Sequence, residues 1–262
     1  MWVVILSFIF ILLLICIPKT YSEFSSNPEM WAMSFGGGDS NFHNAVDRIH
    51  RELTAVDIFN KIVTYKDDDL KKDTEFWNKH ASFIENNKRG YGYWIWKPYL
   101  ILKTMEQMKE GDTLFYVDAG CEVVNDDLSK PNIMKMNERC KKHNLLYTST
   151  PYAEKDFSKM DLFYELDVDI DDSGQRQATI VFLTKNELTL EFVKEWYSFS
   201  TRYSLVDDSP SVLANSETFF EHRHDQSIFS LLIKSEKYKI HLNQPENIIE
   251  EAHPFLLSRK RM

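Results

Sequence analysis

The sequence predicts an α/β fold in which a central, mainly parallel sheet is flanked by helices and preceded by an N-terminal hydrophobic segment. One observation is the stretch 111–122, where the run Thr113–Val117 lies between a Gly-Asp turn and an Ala-Gly pair. A continuous apolar run of this length is typical of a parallel strand that is covered on both faces. Another is the apolar run 30–35, which ends in three glycines and leads into a helical pattern. A strand, a glycine-rich turn and a helix in this order form one βα unit of such a sheet.

The composition limits the size of the fold and the class of partner. With 262 residues, the chain can form one large α/β domain or two small ones. A hydrophobic fraction of 43% indicates a well-filled core. The net charge of −9 argues against a protein that binds the nucleic acid backbone. A negatively charged substrate would need a local cluster of donors or a metal ion.

The first 22 residues read as a secretory targeting segment, because residues 3–17 are almost all Val, Ile, Leu and Phe. The run is shorter than the ~20 residues that usually span a bilayer. It is either a cleaved signal peptide or a short signal anchor, and residues 23–29 form a short polar stem. We therefore expect the chain in the lumen of the endoplasmic reticulum or Golgi as a single-pass type II membrane protein, or outside the cell. That compartment would allow Cys121 and Cys140 to pair, although two buried thiols are an equal alternative.

The first half of the chain continues as alternating strands and helices. Asp39 and Ser40 are capping residues that begin a helix after the glycines. Residues 59–65 predict a second strand, and residues 74–86 predict a helix. The charged stretch 67–72 between them is interpreted as a solvated loop.

An aromatic segment with two glycines, residues 88–97, precedes Pro98. So many aromatic side chains are costly to expose without a function. Pro98 fits the first position of a helix, which places Lys97 at a helix amino terminus, where an anion is favoured. Arg89 and Lys97 could be surface charges, but their position on either side of the aromatic cluster favours a functional role.

Asp118 follows the strand Thr113–Val117 directly, at the edge of the sheet where ligands bind in α/β folds. Together with Glu122, this carboxylate is a candidate for holding a divalent cation. Gly120 would let the backbone come close to a bound molecule. The alternative is that Asp118 caps a turn and Gly120 supplies a left-handed residue.

The second half of the chain predicts two further strands, two helices and two loops. The strands are at 145–148 and 178–184, and the helices are in the second half of 125–142 and at 188–200. The loop 156–172 is interpreted as lying over the site, and the loop 204–216 is a candidate lid. Gln175, Arg176 and Gln177 come before the later strand.

A second polar cluster, residues 221–226, precedes an amphipathic helix. Asp225 and Ser227 are natural helix-capping residues. Capping leaves two histidines, an arginine and a glutamine unexplained, so this cluster is more typical of a site than of a surface turn.

Three motifs in this chain resemble those of a group of nucleotide-sugar glycosyltransferases of the GT-A fold. They are Arg-Gly-Tyr-Gly-Tyr-Trp-Ile-Trp-Lys-Pro at 89–98, Asp-Ala-Gly-Cys-Glu at 118–122 and His-Arg-His-Asp-Gln at 222–226. The likeness extends over residues 30–242, and it implies a single GT-A-like, Rossmann-like domain over residues 30–262.

The resemblance implies roles for these residues. The donor would contact Phe35, Gly36, Gly37, Arg89, Trp94, Lys97, Asp118 and Gly120. Lys97 would neutralise the diphosphate, and Asp118 would replace the acidic Asp-x-Asp motif that binds Mn²⁺ or Mg²⁺, with Glu122 and His224 as further metal ligands. Arg176, Gln177 and Gln226 would face the sugar and acceptor, and Asp225 and Gln177 would be the catalytic residues, with Asp225 as the base.

The function that the resemblance implies is transfer of a sugar from a nucleoside-diphosphate sugar to a hydroxyl group of a glycan, a glycoprotein or another acceptor. A glycoside hydrolase would also use paired carboxylates. A non-catalytic secreted carbohydrate-binding protein would use the aromatic residues to stack on sugar rings. Nucleotide binding separates these alternatives.

Overall fold

A five-stranded sheet forms the centre of the computed structural model, which describes residues 27–170 and 172–260. The predicted targeting segment, residues 1–22, lies outside the described residues. The strands in the described part of the chain are β1 (Met30–Gly36), β2 (Lys61–Lys66), β3 (Thr113–Val117), β4 (Glu122–Val123), β5 (Leu145–Ala153), β6 (Gly174–Thr184) and β7 (Phe255–Leu256). The order in the sheet is β2-β1-β3-β6-β5, and β4 pairs with β7 separately.

The sheet is mixed but mainly parallel. β1 pairs in parallel with both β2 and β3, and β6 is antiparallel to both β3 and β5. β6 is therefore the one strand of the sheet that runs against the others. The predicted α/β class with a central, mainly parallel sheet is confirmed.

Helices cover both faces of this sheet. In the described residues they are α1 (Ser40–Val56), α2 (Asp67–Lys72), α3 (Thr74–Asn86), α4 (Gly90–Tyr93), α5 (Trp96–Gln107), α6 (Ser129–His143), α7 (Glu154–Phe157), α8 (Met160–Glu165), α9 (Glu187–Ser200), α10 (His224–Lys234) and α11 (Lys239–Leu242). Apolar side chains of α1 and α6 pack on one face, and those of α3, α5, α9 and α10 pack on the other. None of the helices in the described part of the chain is long and apolar enough to cross a membrane.

The strand order creates a crevice at one edge of the sheet. From β1 the chain moves to β2 on one side and then returns to β3 on the other side. The carboxyl ends of β1 and β3 therefore lie side by side, and the connections that leave them diverge. In open α/β sheets such a switch point is where ligands bind. Gly36 ends β1 here, and Asp118 follows β3.

Of two segments that the sequence predicted as loops, one is a helix throughout and the other is helical in part. The stretch 67–72 is the helix α2, with three aspartates in its first turn and two lysines in its last turn. This arrangement of charges complements the helix dipole, which explains why a charged stretch folds rather than staying solvated. The stretch 156–172 overlaps α7 and contains α8.

Other boundaries also differ from the prediction. β6 begins at Gly174, so Gln175, Arg176 and Gln177 lie inside the strand rather than before it. Cys121 and Cys140 are both free and buried, so of the two alternatives the structure contains the thiols rather than the disulfide.

Candidate functional site

A buried lysine lies between two carboxylates at the carboxyl edge of β3. The Lys97 Nζ atom is 3.2 Å from Asp118 Oδ1 and 3.1 Å from Asp225 Oδ2. It also donates a hydrogen bond to the Ala178 carbonyl oxygen at 3.1 Å. Only 3% of the Lys97 surface is exposed. Since an ammonium has three protons, each proton can face one of these oxygens. We call Lys97, Asp118 and Asp225 the lysine triad.

Four elements bring the lysine triad together. Asp118 follows β3, Lys97 is in the first turn of α5, and Asp225 is in the first turn of α10. Ala178 lies on β6, the neighbour of β3, and the Asp118 N–H donates to the Thr179 carbonyl at 2.9 Å. The triad is thus a product of the sheet topology and not of local sequence.

The aromatic segment that leads into Lys97 is tightly folded at the start of α5. Tyr91, Tyr93 and Trp94 have positive φ angles of 54°, 53° and 60°. The Trp96 indole N–H donates to the Gly90 carbonyl at 2.9 Å. A Cβ atom on Gly90 would lie 2.3 Å from the Trp94 ring. The segment therefore turns tightly on itself, and Tyr93 and Trp96 pack into the core instead of lying on the surface.

Lys97 keeps its positive charge in spite of its burial. Burial by itself lowers the pKa of Lys97, but the Asp118 and Asp225 carboxylates outweigh it and hold the pKa above its usual value. The amino terminus of α5 also disfavours a cation. The two carboxylates each stabilise the ammonium at this position.

Asp225 is the acid of the triad that titrates near neutral pH. Burial raises its pKa from 3.8 to about 6, against the opposing effect of Lys97 and with a further increase from Asp118. Its Oδ2 atom makes the ion pair with Lys97 but no well-directed hydrogen bond. Asp225 can therefore exchange a proton in the pH range where a general base works best.

Asp118 is the exposed end of the triad. Its side chain is 28% exposed, whereas those of Lys97 and Asp225 are 4% and 5% exposed. The Tyr116 hydroxyl donates to Asp118 Oδ1. Burial, followed by the charge of Asp118, raises the pKa of Tyr116 well above its usual value, so this hydroxyl remains a donor. A ligand in the crevice would meet Asp118 first.

The turn after Asp118 is held by Arg48, which was not among the residues predicted from the sequence. Its Nη2 atom donates to the carbonyls of Ala119 at 2.9 Å and Cys121 at 2.8 Å. Its Nη1 atom pairs with Glu52, whose carboxylate accepts the Val123 N–H at 2.8 Å. Arg48 lies on the apolar side of α1, between Ala45 and Ile49. The sequence does show one sign of this role, because Arg48 is a charged residue at a position of α1 that is otherwise apolar.

Gly120 and Glu122 are covered by the C-terminal segment. The Lys260 N–H donates to the Gly120 carbonyl at 2.8 Å, and Lys260 Nζ is 2.6 Å from Glu122 Oε2. The φ angle of Gly120 is not positive, so Gly120 does not supply a left-handed residue. Glu122 has a cationic partner of its own and is not directed to a metal shared with Asp118.

His224 also lies apart from Asp118. Its ring centroid is 4.7 Å from that of Tyr93 and 5.6 Å from that of Trp94. The Nδ1 atom donates to the Val206 carbonyl at 2.8 Å, and Nε2 is 3.8 Å from Asp208 Oδ1. Burial lowers its pKa to about 4, so the ring is neutral at neutral pH.

The predicted metal ligands Asp118, Glu122 and His224 are therefore not brought together. Within residues 27–170 and 172–260, no three His, Cys, Asp or Glu side chains are placed to share a metal ion. The two carboxylates that do converge, Asp118 and Asp225, already have the Lys97 ammonium between them. This donor set does not fit a divalent cation, which prefers carboxylate oxygens without a competing cation.

The predicted donor-binding residues of β1 are packed at the rim of the crevice. The Phe35 ring centroid is 4.0 Å from that of Trp96. A Cβ atom on Gly36 would lie 2.2 Å from the Phe42 carbonyl oxygen, and one on Gly37 would lie 2.6 Å from the Phe35 ring. The two glycines thus allow β1, the loop and α1 to approach one another closely.

Arg89 contacts a different segment, residues 203–221, which we call the 203–221 loop. The Arg89 guanidinium is 3.3 Å from Asp208 Oδ2 and 3.7 Å from Glu221 Oε2. A cavity of about 280 Å³ lies beside this loop, lined in part by Lys159 and His222. None of the triad residues lines this cavity.

The residues predicted to face the sugar and acceptor all have hydrogen-bond partners within the protein. Arg176 donates from Nη2 to Asn243 Oδ1 at 2.9 Å, and Gln226 donates to Gln175 at 2.6 Å. Gln177 accepts a hydrogen bond from Thr148 at 2.7 Å and immediately precedes Ala178. Two members of this set are thus neighbours of the site in the chain: Gln177 adjoins Ala178, whose carbonyl accepts from Lys97, and Gln226 directly follows Asp225.

The sequence matches no protein-family model and no curated protein. Among solved structures, mouse xyloside xylosyltransferase 1 in its apo form is similar at 10% identity and a TM-score of 0.42, with 84% of each chain covered. The galactosyltransferase LgtC in complex with donor and acceptor sugar analogs is similar at 14% identity and a TM-score of 0.41, with 78% of this chain and 70% of that one covered. A glycosyltransferase involved in the glycosylation of the major capsid of PBCV-1 is similar at 13% identity and a TM-score of 0.33, with 66% of each chain covered. All three are glycosyltransferases, and the low TM-scores make each likeness a distant one.

Proposed function

We propose that this protein is a glycosyltransferase that moves a sugar from a nucleoside-diphosphate sugar to a hydroxyl group of a glycan or glycoprotein in the secretory pathway. The observation that carries the proposal is the lysine triad at the switch point of the sheet. There, a buried ammonium and two carboxylates lie beside the crevice between β1 and β3.

Proton transfer is the first task of such a site. The acceptor hydroxyl must lose a proton as it attacks, and Asp225, with a pKa raised by burial to about 6, is mostly ionised at neutral pH and ready to accept it. Asp118, at the exposed end, would accept hydrogen bonds from hydroxyl groups of the donor sugar.

Charge stabilisation is the second task. The departing nucleoside diphosphate gains negative charge as the glycosidic bond breaks, and positive charge fixed nearby lowers that barrier. When Asp225 takes the proton, it becomes neutral, so the triad changes from a net charge of −1 to 0. The positive charge of Lys97 is then less compensated, at the moment when the leaving group becomes more negative.

A screen of nucleotide sugars tests the proposal. The protein is incubated with uridine, guanosine and cytidine diphosphate sugars, with and without Mn²⁺, and release of the nucleoside diphosphate is measured. We expect turnover of at least one donor, and loss of turnover in Asp118→Asn, which is nearly isosteric. Binding of the nucleoside diphosphate should also raise the melting temperature.

Two results would reject this function in favour of its rivals. Cleavage of a glycoside that carries no nucleotide would favour a hydrolase. Binding of free glycans without turnover or a thermal shift from any nucleoside diphosphate would favour a carbohydrate-binding protein.

A further inference from the structure

We infer that Lys97 takes the structural place of a divalent cation in this site, so that the two carboxylates are bridged by a side chain of the protein itself. The inference rests on the proposed function, because it concerns how the same site carries positive charge. It contrasts with the expectation of Mn²⁺ or Mg²⁺ that the sequence motifs imply.

The geometry of the triad supports this inference. The Nζ atom is 3.2 Å from one carboxylate and 3.1 Å from the other, and it is almost completely enclosed. A cation that bridges Asp118 and Asp225 would have to occupy the volume that the ammonium fills. It would also lie against a buried positive charge, which is unfavourable in a medium of low dielectric constant.

The neighbours of the triad make Lys97 difficult to displace. Its third proton is donated to the Ala178 carbonyl in β6. The Asp118 oxygen that faces it, Oδ1, is also the acceptor of the Tyr116 hydroxyl. Lys97 Nζ lies 5.3 Å from the centre of the Tyr116 ring, so the ring covers part of the ammonium. Movement of the lysine would leave a buried carbonyl and two carboxylates without their cation.

The charge count is consistent with a site that is complete without a metal. A free pair of carboxylates would attract a divalent cation. With Lys97 between them, the same pair carries a net charge of −1 when both are ionised and of 0 when Asp225 is protonated. The site therefore has little electrostatic demand for a second cation.

The direct test is Mn²⁺ binding to the wild-type protein, followed by the electron paramagnetic resonance signal of free Mn²⁺. The measurement is made with and without uridine diphosphate, and Asp118→Asn serves as the comparison. We expect the wild type and Asp118→Asn to remove the same amount of Mn²⁺ from solution under each condition. A bound ion that depends on Asp118 would overturn the inference.

A variant provides the converse test. In Lys97→Met the two carboxylates lose their bridging cation, and we expect the variant to gain one Mn²⁺ site and a melting temperature that rises with Mn²⁺. The double variant Lys97→Met/Asp225→Asn should lose that gain, because one carboxylate remains. Lys103→Met removes a lysine of the same helix that pairs with a single carboxylate, Asp73, and should gain no site. A Lys97→Met protein that folds but binds no Mn²⁺ would contradict the inference, and if it fails to fold, the wild-type measurement decides.

Activity separates this inference from the proposed function. Turnover of a nucleotide sugar that persists in excess chelator supports both. Turnover that requires Mn²⁺ overturns the role of Lys97 and leaves the glycosyltransferase function intact. If no nucleotide sugar is turned over, the proposed function fails, and the Mn²⁺ measurement still decides whether Lys97 excludes the ion.

Discussion

At the scale of single residues, Asp225 is the group whose protonation should control the reaction. Since its pKa is raised to about 6, it is protonated below that pH and ionised above it. If Asp225 is the base, kcat/KM rises with pH through about 6 and reaches a plateau above it. Asp225→Asn should lose most of the activity, and its remaining rate should lack this rise. A wild-type profile without a rise near this pH would remove Asp225 from the role of base.

Arg48 provides a second prediction at this scale. Its guanidinium is largely buried, and it holds the carbonyls of Ala119 and Cys121. Arg48→Met leaves these carbonyls and Glu52 without their donor, which should lower the free energy of unfolding by roughly 2–4 kcal/mol. Urea unfolding measures the change. Arg51→Met, on the exposed side of the same helix, is the control and should change stability by less than about 0.5 kcal/mol. Equal effects of the two substitutions would mean that the turn does not depend on Arg48.

The sequence identifies the three residues of the triad as candidates, but it does not predict that they contact one another. Lys97, Asp118 and Asp225 each lie at a helix start or a strand end, which is a local property that the sequence shows. Their mutual contacts depend on which strands are neighbours. The resemblance of the motifs implies a diphosphate partner for Lys97 and a metal for Asp118, whereas in the structure these two residues contact each other. Tyr116 was also missed, although it is two positions before Asp118 and so lies on the same face of the strand.

At the scale of elements, the close approach of β1 and α1 sets the rim of the crevice. A Cβ atom on Gly36 would lie 2.2 Å from a backbone oxygen of α1 and 2.8 Å from the Val46 Cβ atom. Gly36→Ala must therefore move α1, and we expect a loss of roughly 1–3 kcal/mol in the free energy of unfolding. Chemical denaturation measures it.

Gly120→Ala is the matched control for this substitution. Its Cβ atom would meet Arg259 at 3.6 Å, an ordinary contact, and the φ angle is not positive. It should be tolerated within about 0.5 kcal/mol. If Gly36→Ala is as stable as Gly120→Ala, β1 and α1 can move apart without a loss in the free energy of unfolding.

The elements that the sequence predicted best are those with strong local signals. Thr113–Val117 is a continuous apolar strand and Thr74–Asn86 is a helix, each with the predicted bounds. Asp39 caps α1 as predicted by accepting the N–H groups of Asn41 and Phe42. The pair β4 and β7 has two residues in each strand and joins distant parts of the chain, so no periodic pattern marks it.

Residues 204–216, which form most of the 203–221 loop, were predicted as a lid, and the contacts of this loop bear on that prediction. Two buried histidines, His222 and His224, donate to the carbonyls of Leu205 and Val206 at 3.0 Å and 2.8 Å. Lys159 donates to the Ser204 carbonyl at 2.8 Å. The start of the loop, residues 204–206, is thus hydrogen-bonded to buried side chains. Any lid movement would therefore be confined to loop residues that follow Val206.

At the scale of the whole molecule, the direction of one strand is what the sequence could not predict. β6 has the apolar pattern of a buried strand whether it runs with β3 or against it. Its direction depends on pairing with β3 and β5, which is a property of the assembled sheet. The same pairing places the Ala178 carbonyl against Lys97. The least predictable feature of the sheet therefore contributes directly to the site.

Acid sensitivity is a further property of the whole molecule, because three histidines are buried in the neutral state. Burial lowers the pKa of His80 and of His224 to about 4 and that of His222 well below 6.5. The unfolded chain takes up these protons near pH 6.5, so between 6.5 and about 4 it binds more protons than the folded chain. Stability from these groups is fully present above pH 6.5 and is lost as the pH falls. Asp225 opposes this trend, since its pKa is about 6 in the folded chain and 3.8 in the unfolded chain. Its contribution to stability is therefore present at low pH and is lost as the pH rises through about 6.

Because the effect of the three histidines exceeds that of Asp225, we expect the free energy of unfolding to fall as the pH is lowered from 6.5 to about 4. At about 1.4 kcal/mol for each unit of pKa difference, His80 and His224 each contribute on the order of 3 kcal/mol at most, and His222 acts in the same direction. Urea unfolding at a series of pH values measures the slope. His80→Gln, which keeps polar atoms near the hydroxyls of Tyr197 and Tyr203, should make the slope shallower, and the exposed His241→Gln should leave it unchanged. A stability that is constant or rises on acidification would show that these rings accept protons without disturbing the fold.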